Sequence, residues 1–567
     1  MPLPTPLSSG PRLPRFQPRQ LVLVACGTFL VIFLLSGGSS STSSSALKSS
    51  SSRGASDSAQ RQAKLLEFCP FSTSFKHVPT VVLAGTQESD KSENRTYSLG
   101  DSSSPTLFVP YAYPPRELRF AQQKPDTNKN AQQAKTKAGQ GRLHEGLPGD
   151  EKGEQLCKAH DVPSSPRPVV PSTWKHSKIM FGMSTTPDRV LWNLPVWSHW
   201  LPATPGNAPL DPTDQRQVSE LPLLLVLTPP PNPTEEARTR EAVEEAQTLG
   251  MYVEMRAREA DRFETRYFAL VEEMYKEALR RESEGGDRTE WFVFADDDTF
   301  FPDFDSLVRL LSSYDSNEDK LIGTLSESTK QVAQWGHIAY GGAGIYVSRK
   351  TVEKMNTDGA WKQCLDKFGS AFGGDAMVSH CSALVVNKDI RDVLIVDDTL
   401  HQLDIRADGT GFFQSGFLIT SLHHWGSWFT LFPPWHETGM GDLRKGITLV
   451  GKAAKAVGGD NWGRRYVFEE GKVVVSLGYS VVIEKDPLTL AQLDQSEHTW
   501  WEFETFHPTR PGQEENVDKR TYYITGVRTL SDDGIVRLEH KNREGEKIDI
   551  IWDQRKKPAS KSGWFRA

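Results

Sequence analysis

The sequence predicts an α/β layered domain followed by a β-rich C-terminal region, and three observations carry that expectation. Apolar strand-like runs alternate with helical patterns from residue 178 onward, residues 291–295 (WFVFA) are apolar at every position, and past residue 464 short strand-like runs follow one another with few helices between. A run apolar throughout suits a strand buried on both faces of a mostly parallel sheet. Strands alternating with helices place a ligand at the strands' carboxyl ends.

Taken in order, residues 179–183 (IMFGM) form a first strand, closed by Ser184-Thr185-Thr186-Pro187. Residues 223–227 are a second strand, ended by three prolines. Residues 235–247 are helix-prone and stop at Gly250, and 251–255 read as a third strand. Asp261 is placed to cap a helix on which Phe263, Tyr267, Val271 and Met274 recur at helical spacing. Residues 417–420 read as strand-like. The C-terminal runs are 473–477, 480–483, 521–524, 535–538 and 548–552, and no internal repeat appears.

Composition narrows the class. Charged residues make up 25% with a net charge of −7 and no Lys/Arg cluster, which argues against a nucleic-acid partner. The N-terminus stands apart: residues 21–35 (LVLVACGTFLVIFLL) carry no charge, with Arg12, Arg15 and Arg19 on their N-terminal side. By the positive-inside rule residues 1–20 are cytosolic, 21–38 form a single transmembrane anchor, and the rest is lumenal. A cleaved signal peptide is the competing reading, since Ser36-Gly37-Gly38 supplies small residues. Residues 39–63 form a Ser-rich stem, 64–172 are poorly defined with a long polar stretch, 173–463 hold the catalytic domain and 464–567 the β-rich region. Of five cysteines, Cys26 lies in the apolar run, leaving Cys69, Cys157, Cys364 and Cys381. The simplest pairing is Cys69 with Cys157 and Cys364 with Cys381, against free buried thiols. Asn94-Arg95-Thr96 is a glycosylation sequon consistent with the lumen.

The chemistry is carried by WFVFADDDTF. Three carboxylates directly after a buried strand concentrate repulsion that a hard divalent cation relieves. An acidic solvated turn is the plain alternative, and the flanking apolar residues favour a position at the edge of the core. Downstream come Tyr340-Gly341-Gly342-Ala343-Gly344 before a strand, where glycines let backbone approach a ligand. Then follow Gly373-Gly374-Asp375 at the start of a helix running to Cys381, Leu400-His401-Gln402-Leu403-Asp404, and Ser421-Leu422-His423-His424-Trp425.

In that order, DDD, GGAG, GGD, HQLD and SLHHW resemble the Fringe-like β-1,3-glycosyltransferases (glycosyltransferase family 31), closest to fungal and plant members of unknown acceptor, over residues 178–434. The resemblance implies a GT-A type nucleotide-sugar-binding domain with a mixed, mostly parallel sheet. It also implies a UDP-sugar donor, Mn²⁺ (or Mg²⁺), a glycan or glycoprotein acceptor, inversion at the anomeric carbon, and a Golgi membrane setting. By position it assigns Asp298 and His423 to the metal, with His424 as rival, and Asp296 and Asp297 to the nucleotide and ribose. Thr185, Thr186 and Arg189 match the first donor loop, and Gly341 and Gly342 the close backbone approach. Asp375 matches the general base, though a helix-capping role also suits it, and animal Fringe proteins carry two adjacent acids where this chain has Gly374-Asp375-Ala376. Trp335 and Trp425 are open to sugar stacking or to core packing. A non-catalytic lumenal glycan-binding or chaperone-like relative is the rival reading; the retained acids and histidine oppose it. A nucleotide hydrolase would call for a Gly-Lys-Ser/Thr phosphate loop, which the sequence lacks.

Overall fold

The computed structural model describes residues 80–87, 157–164 and 174–553, apart from 358, 372, 440–441, 502–503 and 532–533. The anchor, the stem, the sequon and Cys69 therefore lie outside the described residues. Among the described residues no helix is long and apolar enough to cross a membrane.

A seven-stranded sheet organises residues 174–400. Its strands are β1 (Ile179–Ser184), β2 (Leu223–Thr228), β3 (Val253–Ala257), β4 (Trp291–Phe294), β5 (Leu321–Gly323), β6 (Ile345–Ser348) and β7 (Leu394–Val396). They lie in the order β3-β2-β1-β4-β6-β5-β7, with only β6 antiparallel to its two neighbours. This is the mixed, mostly parallel α/β sheet expected. Its third strand sits two residues later than the sequence indicated. Both faces of β4 are covered: Trp291 and Val293 enter one apolar cluster, Phe292 and Phe294 the other. The chain winds from β1 through β2 to β3 on one side and then returns to place β4 on the other side of β1. Such a reversal opens a crevice outside the carboxyl ends of the two central strands, where Thr185 and Asp296–Asp298 lie.

Helix starts follow their local chemistry. Asn232 caps Pro233–Thr248 in a reciprocal capping box with Glu235, and Pro187–Trp197 begins with proline at its first turn. The helix expected across Phe263 to Met274 is instead two, Phe263–Phe268 and Leu270–Ser283, meeting at Ala269. Its cap position is Arg262 rather than Asp261, and no side chain bonds there. Residues 417–420 form no strand; the ladder contacts fall one step later, on the isolated bridges Leu400–Ser421 and Phe300–Leu422. Cys364 and Cys381 are bonded, with Cα atoms 5.3 Å apart. They tie Ala360–Phe368 to Gly374–Val385, the helix that begins at Asp375's turn.

The β-rich C-terminal region is present and larger than residues 464–567 alone supply. Arg465–Phe468, Val473–Ser476, Ser480–Glu484, Lys519–Ser531, Ile535–Lys541 and Lys547–Asp553 form an antiparallel run. Thr80–Gln87 then adds in parallel to the last of these, and Cys157–Ser164 adds to Thr80–Gln87. Trp462, Tyr479 and Trp552 belong to the same apolar cluster as Phe181 and Val293 of the first sheet. The amphipathic helix Leu443–Val457 contributes Ile447, Val450 and Ala454 to that cluster. The region is thus welded to the α/β domain by a continuous core.

Within this sheet His540 is fully buried opposite Ile548, and burial pushes its imidazole down to about 4. A group that charges in the unfolded chain near 6.5 but not in the fold contributes stability above that pH, which is lost as pH falls toward 4. Thermal melts between pH 7.5 and 4.5 should therefore show His540→Phe losing less stability on acidification than wild type. Parallel curves would remove His540 from the acid response.

Candidate active site

Asp296, Asp297 and Asp298 leave the end of β4 at the central crevice and take three different roles. Asp297 is buried and accepts from the Thr185 hydroxyl and from the Arg189 guanidinium, while its carbonyl accepts from Trp197 Nε1 at 3.1 Å. The first donor-loop residues are thus joined to the triplet, but Arg189 is spent on Asp297 rather than pointing free toward a diphosphate. Thr186 is exposed at the helix start and makes no capping bond.

Asp298 faces the histidines. Its Oδ1 lies 2.9 Å from His423 Nε2, its Oδ2 accepts from the Ser427 hydroxyl at 3.2 Å, and His424 Nδ1 stands 3.9 Å away. Burial alone would raise Asp298, but the charge and hydrogen bond of His423 hold it well below the usual carboxylate range. Burial opposes a charged His423, yet Asp298 and then Asp296, 3.5 Å from Nε2, push it up to about 9. Asp296 itself is pushed up to about 7, chiefly by burial and, against the pull of His423, by the nearby Asp298, Asp375 and Asp297.

The two histidines are not equivalent. His423 Nδ1 lies 3.2 Å from the Gln402 carbonyl, which can only accept, so Nδ1 carries hydrogen and Nε2 is aimed at the acids. His424 bonds Asp404 through Nε2 at 3.0 Å and Ser427 through Nδ1 at 3.1 Å, and its ring stacks on Trp428. Burial and the neighbouring His423 push it down to about 4. Asp298, His423 and His424 offer ligand atoms within 4.8 Å of one another. The donor set, one carboxylate with imidazole, suits a hard-to-borderline cation such as Mn²⁺. His423 is the better aligned ligand, and His424 the better bonded supporter.

The glycines serve these side chains. A Cβ on Gly342 would lie 2.0 Å from His423 Nδ1, and one on Gly374 would lie 2.5 Å from the Tyr267 ring. Gly341 N–H donates to Asp375 Oδ2 at 3.3 Å, and Ala376 N–H to Asp375 Oδ1 at 2.8 Å. The close approach read from GGAG is therefore first of all an approach to His423 and Asp375. Burial raises Asp375 against the lowering effect of those backbone donors. Gly342→Ala should displace His423 and weaken Mn²⁺ binding about 10–100-fold, the range seen when a ligand loses its orienting partner, with an unchanged melting profile. Calorimetric titration with Mn²⁺ decides it, and wild-type affinity in the variant would free His423 of the role.

HQLD forms the layer beneath. His401 bonds Glu327 and the Leu418 carbonyl, Glu327 accepts from Leu403 N–H at 2.7 Å, and Asp404 accepts from Ser326 as well as His424. Gln402 holds Ala343 N–H through its side chain and His423 through its carbonyl. Ser427, Asp404 and Tyr267 were not singled out in the sequence as site residues; only the HQLD motif hinted at one of them. Trp425 is buried and stacked on Trp192 with ring centroids 5.3 Å apart, so it packs the core instead of offering a sugar platform. Trp335 is half-buried on the helix Thr329–Trp335.

Residues 252–406 match the Fringe-like family model. This stretch is Fringe-like. The match supports a glycosyltransferase, a transferase of sugars, over the part of the chain that carries DDD, GGAG, GGD and HQLD. A second family model, a protein of unknown function termed DUF604, covers residues 331–552 and so runs from the Fringe-like stretch into the β-rich region. No curated protein matches the chain. Among solved structures, a mannosyltransferase from Pyrobaculum calidifontis in complex with GDP-Man and Mn²⁺ is 11% identical with a TM-score of 0.23. That alignment takes in 41% of this chain and 61% of the mannosyltransferase, so the chain spans about three-fifths of that relative. Mouse xyloside xylosyltransferase 1 is 8% identical with a TM-score of 0.25, covering 43% of this chain and 96% of that one. At these scores neither likeness bears on the reaction.

Proposed function

We propose that this chain is an inverting, metal-dependent glycosyltransferase of the Fringe-like family 31 type. It moves a sugar from a UDP-sugar to a hydroxyl of a glycan or glycoprotein in the secretory pathway. The observation that carries the reading is the convergence of Asp298 with His423 and His424 at the end of β4, inside a crevice that Asp375 also borders.

Asp298 and His423 would hold Mn²⁺ (or Mg²⁺), with His424 buttressing both through Ser427 and Asp404. When bound, that cation supplies Lewis-acid stabilisation of the charge on the departing diphosphate. Asp296 and Asp297 face the nucleotide and ribose, with Thr185, Thr186 and Arg189 along one rim and Gly341 and Gly342 along the other. Asp375, fixed by the Gly341 and Ala376 amides, takes the proton of the acceptor hydroxyl as its oxygen bonds to the anomeric carbon. The bond from that carbon to UDP breaks on the opposite face, so configuration inverts and no second carboxylate nucleophile is needed. The apolar segment 21–38 would anchor the protein in the Golgi membrane as a single-pass type II protein, with this site in the lumen.

The test is UDP release by the purified chain across UDP-sugars, with and without Mn²⁺. Metal-dependent release with at least one donor is expected. Folded protein that turns over none of them under either condition would refute the reading.

A further inference from the structure

The C-terminal region reaches the candidate site through one aromatic loop, residues 498–507 (HTWWEFETFH). Its backbone is pinned to the layer beneath the site. Thr329 N–H donates to the Glu504 carbonyl at 2.8 Å, Phe506 N–H to the Glu327 carbonyl at 3.3 Å, and Ser328 and Thr505 form an antiparallel bridge. Glu327 is the same buried acid that holds His401 and Leu403 of HQLD. Trp500 is buried, 5% exposed, and locks the loop inward, while its neighbour Trp501 is 70% exposed. No other large apolar side chain among the described residues is as open.

From Trp501 a contact path returns to the site. Its N–H points at the Arg406 carbonyl at 3.5 Å, the Arg406 guanidinium lies 4.5 Å over the Trp428 ring, and Trp428 stacks on His424 at 3.9 Å. An exposed indole on a loose tip would mean little. On a loop anchored beside a sugar-transfer site it is a preformed apolar plate, and small-molecule sites combine such plates with a few polar groups at the rim. Arg406 and the exposed Glu504 supply charged groups on the same stretch.

We propose that Trp501 is the stacking platform of the acceptor subsite, taking the apolar C–H face of a glucose- or N-acetylglucosamine-configured pyranose in the acceptor glycan. The inference rests on the transferase reading above. Rings of this configuration carry their hydroxyls equatorially and so present continuous C–H faces to the negative face of an indole. The axial hydroxyl of mannose interrupts one such face. The β-rich region thereby becomes the acceptor-side wall of the enzyme.

The test titrates the full chain, with UDP and Mn²⁺ present, with cellotriose, N,N′,N″-triacetylchitotriose and a mannotriose. At least one of the first two should bind more tightly than mannotriose. Trp501→Ala should weaken that binding about tenfold, a difference of about 1.4 kcal/mol, and Trp501→Phe should weaken it less. UDP–Mn²⁺ affinity should be the same in all three proteins. The proposal is overturned if neither glucose-configured trisaccharide binds wild type, if mannotriose binds as tightly, or if Trp501→Ala binds as wild type does. A wild type without Mn²⁺-dependent UDP binding would sink the transferase reading separately, while the trisaccharide titrations would still judge Trp501.

Discussion

Asp298→Asn is expected to abolish Mn²⁺-dependent UDP binding and to lower turnover by about 10³-fold or more, the size of several kcal/mol of lost metal-assisted charge stabilisation. The substitution is nearly isosteric and keeps an oxygen near His423, so packing at the end of β4 is preserved. What disappears is the negative charge that His423 faces at 2.9 Å and Ser427 supports at 3.2 Å. Asp296 cannot take over, because it stands 3.5 Å from the same nitrogen and is pushed up to about 7, so it is only partly charged near neutrality. Calorimetry with UDP and Mn²⁺, beside a thermal melt to show an intact fold, separates a lost metal site from a damaged core. Turnover within about tenfold of wild type would remove Asp298 from the metal role.

Asp375→Asn should show the complementary pattern: transfer falls by about 10²–10⁴-fold, the range of a lost general base, while UDP–Mn²⁺ binding is kept. The geometry supports this separation. Asp375 sits at the start of the helix Gly374–Val385 and is held by the Gly341 and Ala376 amides, outside the Asp298–His423–His424 cluster. Asparagine retains an acceptor for one of those amides, so the turn should hold. A capping role alone predicts a loss of stability with transfer kept, and a base predicts the reverse. Full activity in the asparagine variant would assign the proton to another group.

The sequence alone determined the α/β alternation, the buried strand ahead of the acids, the β-rich C-terminus and the pairing of Cys364 with Cys381. Those features depend on local periodicity and short-range spacing, which the chain writes residue by residue. It also supplied Asp298, His423 and Asp375 as candidates, through motifs that are individually modest. Tertiary structure decided what each of them touches. Asp297 and Arg189 are more than a hundred residues apart yet pair across the crevice, because the return of the chain places β4 beside β1. His423 was separated from His424 only by the Gln402 carbonyl on one and Asp404 on the other, contacts that no spacing encodes. Trp425 was drawn inward by Trp192, while Trp501, unremarked in its own segment, was carried to the site by a loop bonded to Glu327 and Ser328. Burial and partner choice are set by the assembled core, so side-chain roles at this site could be read only once the two sheets had been packed on one another.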